Sequence, residues 1–149
     1  MLFRSEREYR KHNISVDFVQ DNFSFSKYGV LRGLHFQKSK PQGKLVSCVS
    51  GKVFDVVVDI RKNSTTFGKH ISIELSDTNN LQVWIPAGFA HGFCVVSKTA
   101  KFLYKCTNYY DPEDEEGLIW NDSDLGINWP ISKPVISEKD KKNMLFRHI

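Results

Sequence analysis

A chain of 149 residues, 40% hydrophobic and 26% charged, fits one domain with its own core. Its net charge of +4 suits an anionic ligand such as a nucleotide diphosphate, but the basic residues form no stripe of the kind that binds nucleic acid. No apolar run approaches the length of a membrane span.

The N-terminus, Met1 to Glu8, lacks the apolar centre of a signal peptide. Cys48, Cys94 and Cys106 each sit in an apolar, strand-like run without metal-ligand spacing. Together these features predict buried free thiols and a cytoplasmic protein. Residues 4 to 12 are highly charged and read as a short helix. From Asp17 onward the pattern is that of strands: Val30–Phe36, Leu45–Ser50, Val53–Ile60, His70–Leu75, Leu81–Ile85, Gly92–Ser97 and Ala100–Thr107. Turn signals such as Ser50-Gly51, Lys62-Asn-Ser and Pro86-Ala-Gly88 separate them. Short strands at this spacing predict an all-β sandwich or barrel.

Alternation is clearest over Val53–Ile60. Phe54, Val56, Val58 and Ile60 share one face, and Val53, Asp55, Val57 and Asp59 the other. The two aspartates either meet solvent or look into a barrel. An inward Asp55 needs a cationic partner, and Lys44 on the neighbouring strand is the candidate. Near the end, Ser137 is placed to cap a short helical segment that begins with Glu138-Lys-Asp-Lys-Lys. Of the basic residues there, Lys141 and Lys142 read as a solvated tail.

Polar residues are rare inside the apolar runs, and four clusters hold most of them. These are Val30-Leu-Arg32-Gly-Leu-His35-Phe-Gln37, Gln42-Gly-Lys44-Leu-Val46, Trp84-Ile-Pro-Ala-Gly-Phe-Ala-His91-Gly-Phe93 and Phe102-Leu-Tyr104-Lys-Cys-Thr-Asn-Tyr-Tyr110. In this order, they resemble the nucleotide-sugar 3,5-epimerases that include dTDP-4-dehydrorhamnose 3,5-epimerase. The resemblance runs from about Phe18 to about Asp140. It implies a cupin or jelly-roll β-sandwich barrel, a homodimer sharing strands across its interface, and a dTDP-sugar substrate. The reaction implied is inversion of C3, C5 or both in a dTDP-4-keto-6-deoxyhexose.

Inverting a carbon beside a ketone needs a base on one face, an acid on the other and a charge to hold the enolate. His35 suits the base, because an imidazole titrates near neutrality. Tyr104 suits the acid, and Lys44 suits the enolate as a compact ammonium. By resemblance, Asp140 orients His35 and balances its charge, and the fork of Arg32 takes the diphosphate. The resemblance also makes ligand contacts of Gln20, Asp21, Asn22, His91, Glu116 and Lys139, and stacks Tyr110 on the thymine ring. The acidic run Asp111–Glu116 has one extra residue, which leaves the register at Glu116 open by one. No cofactor or metal is expected.

The family pattern also has an earlier strand and loop, Asp-x-Arg-Gly-x-Phe-x-Glu, which contacts the partner subunit's nucleotide. Met1 to Ser5 is set against only the end of that loop, with Arg4 at or near its Glu. The single domain over 1–149 is thus expected to lack that first strand and loop. Three other readings stand beside the main one. A non-catalytic nucleotide-sugar-binding homologue would keep the barrel alone, and a C3-only epimerase or ketoisomerase would act on a related sugar. A metal-dependent cupin would use His91 in Pro86-x-Gly-x-x-His, but around His35 the second histidine and the carboxylate of such a site are missing.

Overall fold

The computed structural model describes residues 4–149. Met1, Leu2 and Phe3, part of the segment set against the family's first loop, lie outside the described residues. The charged N-terminal stretch forms α1 (Glu6–Arg10), where the Ser5 hydroxyl accepts the Glu8 amide hydrogen at 3.4 Å. Tyr9 anchors this helix edge-on against Phe18, which in turn packs on Trp84.

Nine strands follow: β1 (Gln20–Lys27), β2 (Leu31–Gln37), β3 (Lys44–Ser50), β4 (Lys52–Asp59), β5 (His70–Ser76), β6 (Gln82–Ile85), β7 (Phe89–Val95), β8 (Thr99–Cys106) and β9 (Glu115–Gly117). One sheet has the order β1-β8-β3-β6 and the other β5-β4-β7-β2-β9, with all pairings antiparallel. The pairs β1–β8, β2–β7, β3–β6 and β4–β5 nest inside one another, which is a jelly roll. The expected all-β class is therefore observed.

The interior between the sheets is filled by Val46, Val53, Val57, Phe93, Val95 and Phe102, each at most 6% exposed. Burial on this scale contributes about 1.5–3 kcal/mol per large side chain. The opposite face of β4 is buried too. Val56 and Val58 lie beneath Leu118 and Leu125, with Phe54, Trp129, Met144 and Phe146 packed around them. The segment after β9 thus roofs the five-stranded sheet. The helical stretch expected after Ser137 reduces to two 3-10 turns, Asp140–Lys142, whose first amide donates to Ser137 Oγ at 3.0 Å, and Phe146–His148.

Two strands escaped the sequence reading. In β1, polar residues occupy the inward positions, Gln20, Asn22 and Ser24, while Phe23 and Phe25 point outward. This inverts the usual pattern because the inner wall of β1 lines a cavity rather than the core. The other missed strand, β9, is only three residues long.

Candidate active site

A cavity of about 270 Å³ opens between the sheets, lined by Asn22, Ser24, Arg32, His35, Gln42, Lys44, His91, Gly92, Phe93, Tyr104, Tyr110 and Glu115. Its walls come from opposite sheets. His35 and His91 stand on β2 and β7, and Lys44 and Tyr104 on β3 and β8.

Arg32 and His35, three residues apart, would face opposite ways on a regular strand. Here the β2–β7 register slips between them, so both reach the same cavity. The slip needs close backbone contact: a Cβ on Gly33 would lie 2.6 Å from Gly92 Cα, and one on Gly92 would lie 2.7 Å from the Arg32 carbonyl oxygen. Gly33 has φ +115°, a conformation that favours glycine.

His35 Nε2 lies 2.6 Å from Asp140 Oδ1. The other oxygen, Asp140 Oδ2, accepts the Gly33 amide hydrogen at 3.3 Å. Burial pushes this carboxyl upward, but His35, Gly33 and Ser137 together hold it below the ordinary carboxylate range. With Nε2 committed to Asp140, His35 Nδ1 is left for the cavity, 3.8 Å from Glu115 Oε1. His91 lies directly across from His35 in the β2–β7 pairing, and its Nε2 meets Asp55 Oδ2 at 2.8 Å.

Lys44, expected as the partner of Asp55, makes no direct ion pair with it among the described residues; the direct contact is made by His91. Asp59, on the same face, is held at the C-terminal end of β4. Arg61 donates to both of its oxygens at 2.8 and 2.7 Å, and Ser64 and Thr66 add hydroxyl bonds.

Lys44 stands opposite Cys106 across β3 and β8. Burial lowers its pKa, against the opposing influence of Cys106, Glu115 and Asp55. Burial also pushes the Tyr104 phenol up to about 12, so it stays protonated at neutral pH. Period two carries Phe102, Tyr104 and Cys106 inward together.

Two of the expected ligand contacts lie elsewhere. Asp21 points out of the sheet and pairs with Lys105 at 2.8 Å, because Gln20 and Asn22 occupy the inward positions of β1. Glu116 also turns away, to Lys38 at 3.3 Å, and Glu115 takes the cavity position. The β2–β9 register explains this, since Glu115 pairs with Gln37 and Gly117 with His35. Glu115 accepts from the Tyr110 hydroxyl at 3.0 Å and pairs with Lys139. Gln20 stays near the site through its Oε1, which accepts the Tyr110 amide hydrogen at 2.9 Å. Arg32 is exposed at the cavity wall, with Nε donating to Ser26 Oγ at 3.2 Å. The sequence reading missed Ser24, Gln42 and Glu115. Gln42 stood in the second polar cluster without a role assigned to it, and Glu115 in the open register of the acidic run.

Among the described residues, no group of three or more His, Cys, Asp or Glu side chains could hold a metal ion. Each cavity histidine instead spends Nε2 on its own carboxylate.

A jelly roll whose cavity sets a histidine–aspartate pair against a tyrosine and a lysine offers groups able to take and give protons, as the chemistry of an isomerase requires. The family model described as dTDP-4-dehydrorhamnose 3,5-epimerase matches residues 2–148. The dTDP-4-dehydrorhamnose 3,5-epimerase of Salmonella typhimurium is 58% identical over 127 residues, covering 84% of this chain and 69% of that one. The enzyme of the same name from Shigella flexneri is 54% identical over 132 residues, 88% of this chain and 73% of that one. The crystal structure of dTDP-6-deoxy-D-glucose-3,5-epimerase from Legionella pneumophila, in complex with dTDP-4-keto-L-rhamnose, superposes with a TM-score of 0.94. It is 50% identical, with 99% of this chain and 79% of that chain covered. The chain belongs to the dTDP-4-dehydrorhamnose 3,5-epimerase family and is an enzyme of the isomerase class.

Proposed function

We propose that the protein epimerises a dTDP-4-keto-6-deoxyhexose at C3, C5 or both, in the biosynthesis of a deoxysugar of the rhamnose type. The observation that carries this reading is the His35–Asp140 pair on one wall of a cavity whose other wall presents Lys44 and Tyr104.

His35 Nδ1 removes the proton beside the ketone, and Asp140 balances the imidazolium that results. The electron pair moves onto the carbonyl oxygen, where the Lys44 ammonium stabilises the enolate. Tyr104 returns a proton from the opposite sheet, so the carbon inverts. The tyrosinate then recovers its proton from solvent, and His35 releases its own. Arg32 holds the diphosphate, Asn22 and His91 contact the ligand, and Tyr110 stacks on the base. The cavity volume suits the sugar, and the nucleotide lies beside Tyr110, whose hydroxyl shares Glu115 with Lys139.

We further propose a homodimer in the cytoplasm. Phe23 and Phe25 are 61% and 55% exposed side by side on the outer face of edge strand β1, an apolar surface that a second copy would cover. All three cysteines are free and buried, as a reducing compartment allows. No helix of the described residues is long and apolar enough to cross a membrane. Incubation with dTDP-4-keto-6-deoxyglucose, followed by NMR of the product, tests the activity. Inverted product is expected, and unchanged substrate would overturn the reading. Sedimentation tests the dimer, with twice the chain mass expected and the monomer mass contradicting it.

A further inference from the structure

Asp55 is the most deeply buried carboxyl group near the cavity, at 0% exposure, and nothing in the catalytic sequence above uses it. It projects from β4 into the space between the sheets, among Val53, Val57 and Phe93. A carboxylate in such surroundings is costly unless its charge and both oxygens are answered. Only one is. Oδ2 accepts from His91 Nε2 at 2.8 Å, while Oδ1 is fully buried and has no hydrogen-bond partner.

The matching excess lies on the other sheet. Lys44 forms no ion pair within 4.0 Å among the described residues, although its ammonium is desolvated. The charged and titratable groups that share the cavity with Lys44 or act on it are Cys106 and Tyr104 on β8, Tyr110 after it, Asp55 on β4, Glu115 on β9, His91 on β7, and Arg32 and His35 on β2. Two of these are carboxyl groups. Glu115 is engaged by Lys139 and Tyr110, so Asp55 is the one with an uncommitted oxygen.

We propose that Asp55 is a positioning residue of the site: one oxygen clamps the His91 ring and the remaining charge serves as the buried counter-ion of Lys44. This inference deepens the epimerase reading and rests on it for its link to catalysis. The clamp fixes the His91 tautomer, with hydrogen on Nε2 and Nδ1 left to meet the ligand. It makes His91 the structural counterpart of His35, since the two are cross-strand partners and each is tied through Nε2 to its own aspartate. The counter-ion role keeps Lys44 cationic in an enclosure that favours its neutral form, since the nearby negative charge raises the lysine pKa.

Asp55→Asn in the full chain separates the two roles, because the amide oxygen can still accept from His91 while the charge is gone. The readouts are the Lys44 titration by NMR of ¹³C-labelled lysine, the His91 ring nitrogens by ¹⁵N NMR, and turnover against pH. Expected are an Nε2–H tautomer of His91 in the wild type and loss of the Lys44 charge at lower pH in the variant. The alkaline limb of turnover should move with it, with kcat reduced about 10- to 100-fold and KM little changed. A Lys44 titration and alkaline limb identical to wild type would overturn the proposal, as would an Nδ1–H tautomer of His91 in the wild type. The wild-type tautomer measurement does not depend on the variant folding. If the wild type turns over no dTDP-sugar, the functional reading fails, but the Lys44 titration and the His91 tautomer still decide the role of Asp55.

Discussion

His35 and Asp140 are 105 residues apart in the chain and 2.6 Å apart in space, Nε2 to Oδ1. The strand that carries His35 and the 3-10 turn that carries Asp140 are joined a second time, by the Gly33 amide on Asp140 Oδ2. The carboxylate therefore fixes both the orientation of the imidazole and the backbone that presents it. Nε2 is thereby committed to Asp140, and Nδ1, 3.8 Å from Glu115 Oε1, is the nitrogen left for the proposed proton transfer.

Asp140→Asn should keep the fold but lose the charge that balances the imidazolium. A fall in kcat of about 10²-fold is expected, within the range of general base contributions. KM should change little. Steady-state kinetics at neutral pH check this, and a variant with wild-type kcat would show that Asp140 only packs.

Lys44→Met should remove most turnover, about 10²- to 10³-fold, because the ammonium acts on charge that develops only in the transition state. Binding of dTDP, measured by calorimetry, should be nearly unaffected. A large loss of binding with unchanged kcat would make Lys44 an anchor instead. Because burial lowers the pKa of Lys44, wild-type turnover should decline on the alkaline side at a pH below that of an ordinary lysine.

Tyr104→Phe should separate exchange from inversion. Proton removal by His35 needs no hydroxyl on the far wall, so solvent deuterium should still enter the sugar. Net inversion should fall about 10²-fold or more, because no proton is delivered to the other face. Deuterium content and product configuration measured on one sample check this. Equal loss of both, or loss of neither, would remove Tyr104 from the acid role.

Asp59 gives a stability prediction away from the site. Its two bonds from Arg61, with those from Ser64, Thr66 and the Arg61 amide, hold its carboxyl well below the ordinary range. A carboxyl depressed by folding contributes stability above its unfolded pKa of about 3.9 and loses it as pH falls toward the folded value. Arg61 is 48% exposed, so solvent screens the pair, and Asp59→Asn should cost about 2 kcal/mol at pH 7. Urea unfolding of both proteins checks this, and the difference should shrink steadily below pH 4.

The fold was legible where alternation meets the core. The two faces of Val53–Ile60 separate as the sequence predicts, because both faces of β4 are buried under apolar neighbours. In β1 the cavity replaces the core, polar residues turn inward, and the hydrophobic pattern no longer reports the strand. Composition could not place β9, and with it the choice of Glu115 over Glu116, because a three-residue strand is defined by its partner. The partner of Asp55 was equally hidden: Lys44 and His91 are both cations or donors of suitable reach, and only the packing of β4 on β7 puts His91 first. The motif residues His35, Lys44 and Tyr104, which no core pattern would require, stand out in the sequence and line the cavity, as do Asn22, Arg32, His91 and Tyr110.

Deuterium exchange by wild type and His35→Ala tests the central assignment most directly. Both proteins would be incubated with dTDP-4-keto-6-deoxyglucose in deuterated water, with circular dichroism verifying that the variant is folded. The wild type should incorporate deuterium at one or both carbons flanking the ketone, and the folded variant none above the buffer rate. A wild type that exchanges nothing, or a His35→Ala protein that exchanges at the wild-type rate, would contradict the account.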